Sequence, residues 1–312
     1  MAADDGNLTE LRFDGRVVVV TGAGSGLGRS HALLLASRGA SVAVNDLAGD
    51  PDTATTVVGE IESAGGIAFA HAADIATEDG AKGLMSTAMH HFGRIDIVIN
   101  NAGILRACDF GEMTAELFDQ VVAVNLRSTF LMCRAAWEPM VAARYGRIIS
   151  TTSNSGLLGT AGSTAYAAAK AAIWGLTRSL ALEGAALGIN VNAIAPIAYT
   201  AMSANSRIAP RSWRTGEGDS WSQRLDPTQV SPAVAWLAHH DCTLNGKILS
   251  VAGGRVARFD MGLTEGFASE SLTIEQIRDG EQELLEETPN TFFARAADEG
   301  RALHSRLMTG PN

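Results

Sequence analysis

Apolar positions along the chain recur with two periods, and their alternation sets out an architecture. Short β-branched runs read as buried strands: RVVVVTG at 16–22, SVAVND at 41–46, IAFAHAAD at 67–74 and RIDIVINNAG at 94–103. GRIISTTS at 146–153, INVNAIAP at 189–196 and GKILSV at 246–251 continue the series. Between them lie helix-period segments: HALLLASRG, TATTVVGEIESAGG, a long one from about Thr114 to Ala143, STAYAAAKAAIWGLTRSLALEG and PAVAWLAHH. Seven strands separated by helices pair in parallel through right-handed crossovers. The pattern therefore predicts an α/β fold, a doubly wound parallel seven-stranded sheet of the Rossmann type.

Two segments stand outside this rhythm. Residues 197–225 have little periodicity and set Trp213 and Trp221 among Arg, Gly, Ser and Pro. A loop of that length inside a domain is usually a lid or binding loop, so it is read as the substrate loop. The tail after Gly254 offers Thr273 as an N-cap, Gln276 as its capping-box partner and a Leu272/Ile277 staple. Residues 1–254 are thus expected to form a dinucleotide-binding and catalytic domain, and 255–312 a helical C-terminal extension that is not an independent domain.

Composition narrows the partners. Of 312 residues, 46% are hydrophobic and 19% charged, an ordinary globular balance. The formal net charge of −10 argues against nucleic acid and against anionic membrane surfaces. A phosphorylated cofactor stays open, because backbone N–H groups at a helix start can hold phosphate. Cys108, Cys133 and Cys242 lack CxxC spacing, so reduced, buried thiols are expected and no metal site. No positive, apolar leader, no run of about 20 apolar residues and no peroxisomal C-terminal address is read, which leads to the expectation of a cytoplasmic protein.

TGAGSGLG at 21–28 follows the first strand and opens the first helix. Gly22, Gly26 and Gly28, with Ser25 and Leu27 between them, would bring backbone N–H groups close to a pyrophosphate at the positive helix end. Asp46 ends the second strand 18 residues after the last glycine. A carboxylate there accepts hydrogen bonds from adenosine ribose hydroxyls and repels a 2′-phosphate, which favours NAD over NADP. Asp74, with Ile75 beside it, closes the third strand and could meet the adenine amino group. Asn101, Ala102 and Gly103 of NNAG let the chain pass close to the cofactor. Further along, Tyr166 and Lys170 stand four residues apart and share a helix face.

TGxxxGxG after strand one, NNAG after strand four, a serine after strand five and YxxxK on the next helix together resemble the short-chain dehydrogenase/reductase family. The resemblance covers about residues 12–254. VNDLAGD, NNAGILR, CRAAWEPM, YGRIIS, SLALEG and NAIAP are similar to the (3R)-hydroxyacyl-CoA dehydrogenase regions of that family. The resemblance implies a catalytic set of Ser153, Tyr166, Lys170 and Asn125, and an NAD-dependent oxidoreductase that interconverts a secondary alcohol and a ketone. A 3-hydroxyacyl-CoA is the leading substrate. A steroid or small secondary alcohol, an NADP-linked 3-oxoacyl carrier-protein reduction and a non-catalytic NAD-sensing or scaffold role are the alternatives.

Physically the set is coherent. A free tyrosine ionises near pH ~10. A neighbouring ammonium and an oxidised nicotinamide ring would both draw it down, making Tyr166 the acid/base. Lys170 would also hold the nicotinamide ribose, Ser153 would donate to the substrate oxygen, and Asn125 would position a water linking Lys170 to solvent. Thr151, Thr152 and Ser155 compete with Ser153, which the family spacing selects. Pro196-Ile197 departs from the family's Pro-Gly. The Ile197 N–H is still expected to meet the nicotinamide carboxamide, with Thr200 nearby, although the local turn loses glycine's freedom. The family also implies a homodimer or homotetramer packed through its two long helices.

Other residues invite chemistry without carrying it. His90-His91 and His239-His240 read as helix-end imidazoles and not as ligands. Trp137, Trp174 and Trp236 read as core or subunit interface, Arg106 as a solvated loop arginine, and 281–287 as a solvated acidic helix face.

Overall fold

Val17–Thr21 (β1) is buried along its whole length, and its side chains divide between two apolar clusters. Val18 and Val20 join Val42, Val44, Ile97, Ile99 and Ile149 in one; Val19 joins Ala43, Val98 and Ile148 in the other. Successive residues of a strand point to opposite faces, so both faces of this sheet are covered. That is why its strands read as continuous apolar runs. Each buried valine contributes about 1.5–3 kcal/mol relative to an exposed one.

The computed structural model describes residues 10–49, 53–204, 224–269, 272–285 and 291–309, with side chains as far as residue 302. The chain divides into two compact units, Met1–Arg258 and Phe259–Asn312. In the first, β1 is followed by Gly26–Ser37 (α1), Ser41–Asp46 (β2), Thr53–Ser63 (α2), Ile67–Ala72 (β3), Glu78–Phe92 (α3) and Ile97–Asn100 (β4). Ala115–Val122 (α4), Ser128–Ala143 (α5), Gly146–Thr151 (β5), Asn154–Leu158 (α6), Thr164–Gly184 (α7) and Ile189–Ile197 (β6) come next. Ala201–Ala204 (α8), Ser231–Ala238 (α9), Ile248–Ala252 (β7) and Arg255–Phe259 (β8) complete the order.

The sheet order is β3-β2-β1-β4-β5-β6-β7-β8. Pairing is parallel from β3 to β7, with Val18 opposite Val42 on one side and Ile97 on the other. Leu35 of α1, Ile61 of α2 and Leu237 of α9 pack on one face; Leu84 of α3, Met132 and Met140 of α5 and Ala181 of α7 pack on the other. The order reverses between β1 and β4, and a crevice opens at the carboxyl ends of strands at such a switch point.

The sheet has eight strands where seven were expected. Gly253 and Gly254, at φ 53° and 82°, join β7 to β8, and a two-residue turn with both residues in the left-handed region is a hairpin turn. Arg255–Phe259, assigned from sequence to the extension, is therefore the sheet's edge strand. The expected helix from Thr114 to Ala143 is likewise two helices joined by a wide turn, Ala123–Arg127.

In the second unit Gly262–Leu263 (β9) pairs antiparallel with Thr291–Phe292 (β10), and the helices are Ile274–Asp279 (α10), Glu281–Leu285 (α11) and Ala296–Thr309 (α12). The capping box at α10 is formed, with Thr273 and Gln276 each accepting from the other's backbone N–H.

Candidate active site

The turn after β1 is built for close approach. Gly22 sits at φ 59°, and a Cβ there would stand 2.8 Å from the Ala102 Cα. Gly28 lies beneath the turn, where a Cβ would collide with the Gly22 carbonyl. It packs α1 onto the turn and does not line the crevice, whereas Gly22, Ser25, Gly26 and Leu27 do. Ser25 occupies the N-cap of α1 without a side-chain capping bond, and the first turn holds no acidic residue. By contrast, Thr77 and Thr114 cap α3 and α4, accepting from Gly80 N–H at 3.1 Å and Leu117 N–H at 3.2 Å. The α1 N–H groups are left for an anion.

The neighbouring strand ends are stitched to this turn. Asn101 Nδ2 donates to the carbonyls of Thr21 at 3.1 Å and Gly22 at 3.0 Å, while Thr21 Oγ1 accepts from the N–H groups of Asn101 and Ala102. Asp46 accepts from Gly24 N–H at 2.9 Å and from Leu47 N–H at 2.8 Å. A Cβ on Gly24 would lie 2.5 Å from Asp46 Oδ2, so this glycine is required for the carboxylate to reach the turn. Asp74 accepts from Ala76 N–H at 2.9 Å, and Asp74 and Ile75 both line the crevice.

At the other end, Ser153 follows β5 and caps α6, its Oγ accepting from Ser155 N–H at 3.1 Å. Lys170 Nζ is buried, donates to the Thr151 carbonyl at 2.7 Å and stands 5.7 Å from the centre of the Tyr166 ring. The competing hydroxyls line the same cavity, and two of them are engaged by other groups. Thr152 Oγ1 donates to the Lys170 carbonyl at 2.5 Å and Ser155 Oγ pairs with Thr160 at 3.0 Å, while Thr151 Oγ1 is buried without a partner among the described residues. Ser153 is the hydroxyl whose influence draws the Tyr166 phenol down against its burial.

Burial dominates the ionisation of both groups. It raises the Tyr166 phenol above its ordinary range, opposed by the bond to Ser153, and it lowers Lys170 to about 7. The phenol was expected to be lowered by the ammonium and the nicotinamide ring together; beside the ammonium alone, burial raises it. A lysine driven towards neutrality cannot exert a full unit of charge.

Asn125 owes its place to the wide turn between α4 and α5. Such a π turn leaves carbonyls without their helical partners, and side chains take them up. Asn125 Nδ2 donates to Val121 and to Ile104, both at 2.9 Å; Thr129 Oγ1 donates to the Asn125 carbonyl at 2.9 Å and Ser128 Oγ to Val124 at 2.5 Å. Asn125 Oδ1 is buried with no partner among the described residues. A Cβ on Gly103 would stand 2.6 Å from that oxygen and 3.5 Å from Lys170 Nζ, so the bare glycine keeps a small polar space between the two.

A single cavity of about 830 Å³ joins the two ends. Ser153, Tyr166, Lys170, Asn125, Asp46, Asp74, Ile75, Asn101, Ala102, Gly103, Ile197 and Thr200 all line it, together with Gly22, Ser25, Gly26 and Leu27 of the turn. β6 simply runs on through Pro196 to Ile197 without a left-handed residue, so the missing glycine costs nothing locally. Thr200 opens α8 and exchanges hydrogen bonds with Ser203. Most of the substrate loop, Trp213 and Trp221 included, lies outside the described residues.

A family model for short chain dehydrogenases matches residues 16–210. The chain belongs to the short-chain dehydrogenase family. This dehydrogenase is 41% identical over 287 residues to the peroxisomal multifunctional enzyme type 2 of Mus musculus, covering 88% of the present chain and 37% of the relative. It is 40% identical over 263 residues to a hydroxyacyl-CoA dehydrogenase of Mycobacterium tuberculosis, covering 80% of each. The full-length peroxisomal multifunctional enzyme type 2 of Drosophila melanogaster superposes with a TM-score of 0.78 at 33% identity, over 95% of this chain and 50% of that one. The dehydrogenase thus spans half or less of these two multifunctional enzymes.

Several cavity residues of the dehydrogenase escaped sequence reasoning. Leu47, Leu105, Gln120, Asn154, Met202 and Ser203 line it without having been singled out, and Gly24 supports Asp46 from within the motif. Leu47 and Leu105 lie in the stretches VNDLAGD and NNAGILR and Asn154 stands beside Ser153, whereas Gln120, Met202 and Ser203 had no sequence signal. His90 and His91 end α3, with His91 stacked on Phe69 at 4.6 Å, while His239 and His240 group with Asp241; none of them lines the cavity. Cys133 and Cys242 are buried, but Cys108 is only half-buried, contrary to expectation. Trp174 is buried and Trp236 is 40% exposed.

Proposed function

We propose that the chain is an NAD-dependent dehydrogenase of 3-hydroxyacyl-CoA thioesters, with Tyr166 as acid/base. The observation that carries this reading is the shared cavity, which places Asp46 and an uncapped helix start at one end and Ser153, Tyr166 and Lys170 at the other. The residues fit NAD. The α1 N–H groups suit a pyrophosphate, and the Asp46 carboxylate, fixed by Gly24 and Leu47, suits ribose hydroxyls and opposes a 2′-phosphate. When bound, the oxidised nicotinamide accepts the carbinol hydride.

The chain's own groups manage the proton and the oxygen. Tyr166 takes the hydroxyl proton during oxidation and returns it to the ketone during reduction. Burial favours the protonated phenol, the form that reduction needs; oxidation needs phenolate, which Lys170 stabilises when charged. Ser153 donates to the reacting oxygen, and Asn125 Oδ1 offers an acceptor towards the space beside Lys170 Nζ. The acyl-CoA substrate is supported by the name of the Mycobacterium tuberculosis relative, a hydroxyacyl-CoA dehydrogenase. The same reading carries a homodimer or homotetramer. Phe118 of α4, Phe130 of α5 and Leu182 of α7 expose apolar surface of the kind that a second copy would cover.

A substrate panel with NAD tests the reading, following reduced nicotinamide by absorbance across acyl-CoA chain lengths, steroid alcohols and simple secondary alcohols. Faster turnover of 3-hydroxyacyl-CoA supports it. Preference for a steroid or plain alcohol would remove the acyl-CoA part.

A further inference from the structure

The hydroxyl of Ser153 has more claims on it than the reaction needs. Its oxygen accepts from Ser155 N–H at 3.1 Å, and its one proton points to Asn154 Oδ1 at 3.3 Å. With Oδ1 so engaged, the Asn154 amide turns its NH2 group away from Ser153. That group has no protein partner among the described residues, and Asn154 lines the cavity. The amide is also held firmly. Asn154 is the first residue of α6, Ser153 caps that helix, and α6 lies directly on α7, where a Cβ on Gly156 would stand 2.6 Å from the Ala171 backbone nitrogen. A half-buried, rigidly mounted donor therefore stands one residue from the group that binds the reacting oxygen.

We infer that the Asn154 side-chain NH2 is a subsite for a second substrate oxygen, the carbonyl two carbons from the carbinol, so that the enzyme reads a 1,3-dioxygenated chain; this rests on the dehydrogenase reading above. A 3-hydroxyacyl thioester carries its two oxygens on C3 and C1. With the C3 oxygen at Ser153 and Tyr166, the C1 carbonyl meets the next donor along α6. A steroid or plain secondary alcohol has no acceptor to place there, and the buried face of the amide then loses its water without compensation. Asn154 is on this account a specificity-determining residue that also holds the Ser153 proton until the reacting oxygen accepts it.

The two roles separate chemically. Asn154→Asp keeps an acceptor for the Ser153 hydroxyl and removes the donor; Asn154→Ala removes both. The probes are the N-acetylcysteamine thioester of 3-hydroxybutanoate and pentan-2-ol, a secondary alcohol lacking the second oxygen, each with NAD. The readout is the ratio of their kcat/KM values, which does not depend on the fraction of enzyme that folds. Wild type should favour the thioester, and both variants should lower the ratio about 10- to 100-fold, largely through a raised KM for the thioester. Equal losses on both probes, leaving the ratio unchanged, would overturn the inference and leave Asn154 only its bond to Ser153. Wild type with no preference for the thioester would overturn it too, with the dehydrogenase reading intact. Wild type inert towards every alcohol would overturn the dehydrogenase reading itself.

Discussion

Replacing Gly103 by alanine places a methyl group 2.6 Å from Asn125 Oδ1, where ordinary contact begins at 3.4 Å. The amide must retreat by about 0.8 Å, while Lys170 Nζ, at 3.5 Å, is spared. Asn125 has little freedom to move, because its Nδ2 is tied to Val121 and Ile104 at 2.9 Å. Weakening both bonds costs about 1 kcal/mol each, so roughly 2 kcal/mol of stability and about 4–8 °C in Tm. An error of that size in the catalytic constellation lowers kcat/KM about 100-fold. Thermal melts and steady-state rates of Gly103→Ala, Asn125→Ala and the double variant form the test. With the amide gone, the methyl has nothing to displace, so Gly103→Ala should cost far less stability in the Asn125→Ala background. Additive losses, or a single Gly103→Ala variant with wild-type Tm and rate, would refute the packing argument.

Asp46→Asn removes the charge that opposes a 2′-phosphate and loosens Gly24, so the ratio of kcat/KM for NAD over NADP should fall at least ~10-fold; an unchanged ratio excludes Asp46 from cofactor choice. His31 is buried on α1, its Nε2 without a partner among the described residues, and burial lowers it from 6.5 to about 3. The unfolded chain therefore takes up the proton first: the contribution is intact above pH ~6.5 and is lost as pH falls towards 3, by about 5 kcal/mol in all. Urea midpoints should drop less between pH 7.5 and 4.5 in His31→Asn than in wild type, and parallel drops would refute this. Lys170, lowered from 10.5 to about 7, lies in surroundings that penalise its charge, a cost that grows as pH falls from 10.5 to 7. Lys170→Met should therefore abolish turnover and raise Tm at pH 7 by at least ~3 °C; a lower Tm would show that the bond to Thr151 outweighs the desolvation.

Much of this molecule was legible because its signals are local. Strands buried on both faces announce themselves as apolar runs, and the glycines of 21–28 mark a turn whose geometry only glycine tolerates. The capping box at Thr273 was equally plain. What escaped depends on contacts between distant segments. The π turn that carries Asn125 looks helical in sequence, since its stabilising bonds come from Ile104 and from hydroxyls that suit any helix. β8 was missed because a strand exposed at a sheet edge has no apolar run to declare it. Spacing does not tell a glycine that lines the cavity, such as Gly22, from one packed beneath the turn, as Gly28 is. The raised phenol and lowered ammonium could not be foreseen either, because both follow from burial and not from neighbouring charge.

The central claim is that Tyr166 transfers the proton while the rest of the cavity holds the cofactor. Tyr166→Phe removes one hydroxyl and keeps the ring, so NAD affinity measured by calorimetry should stay within about threefold. Turnover of the best substrate in the panel should fall about 10²- to 10⁴-fold. A Tyr166→Phe enzyme that binds NAD and turns over near the wild-type rate would contradict the account.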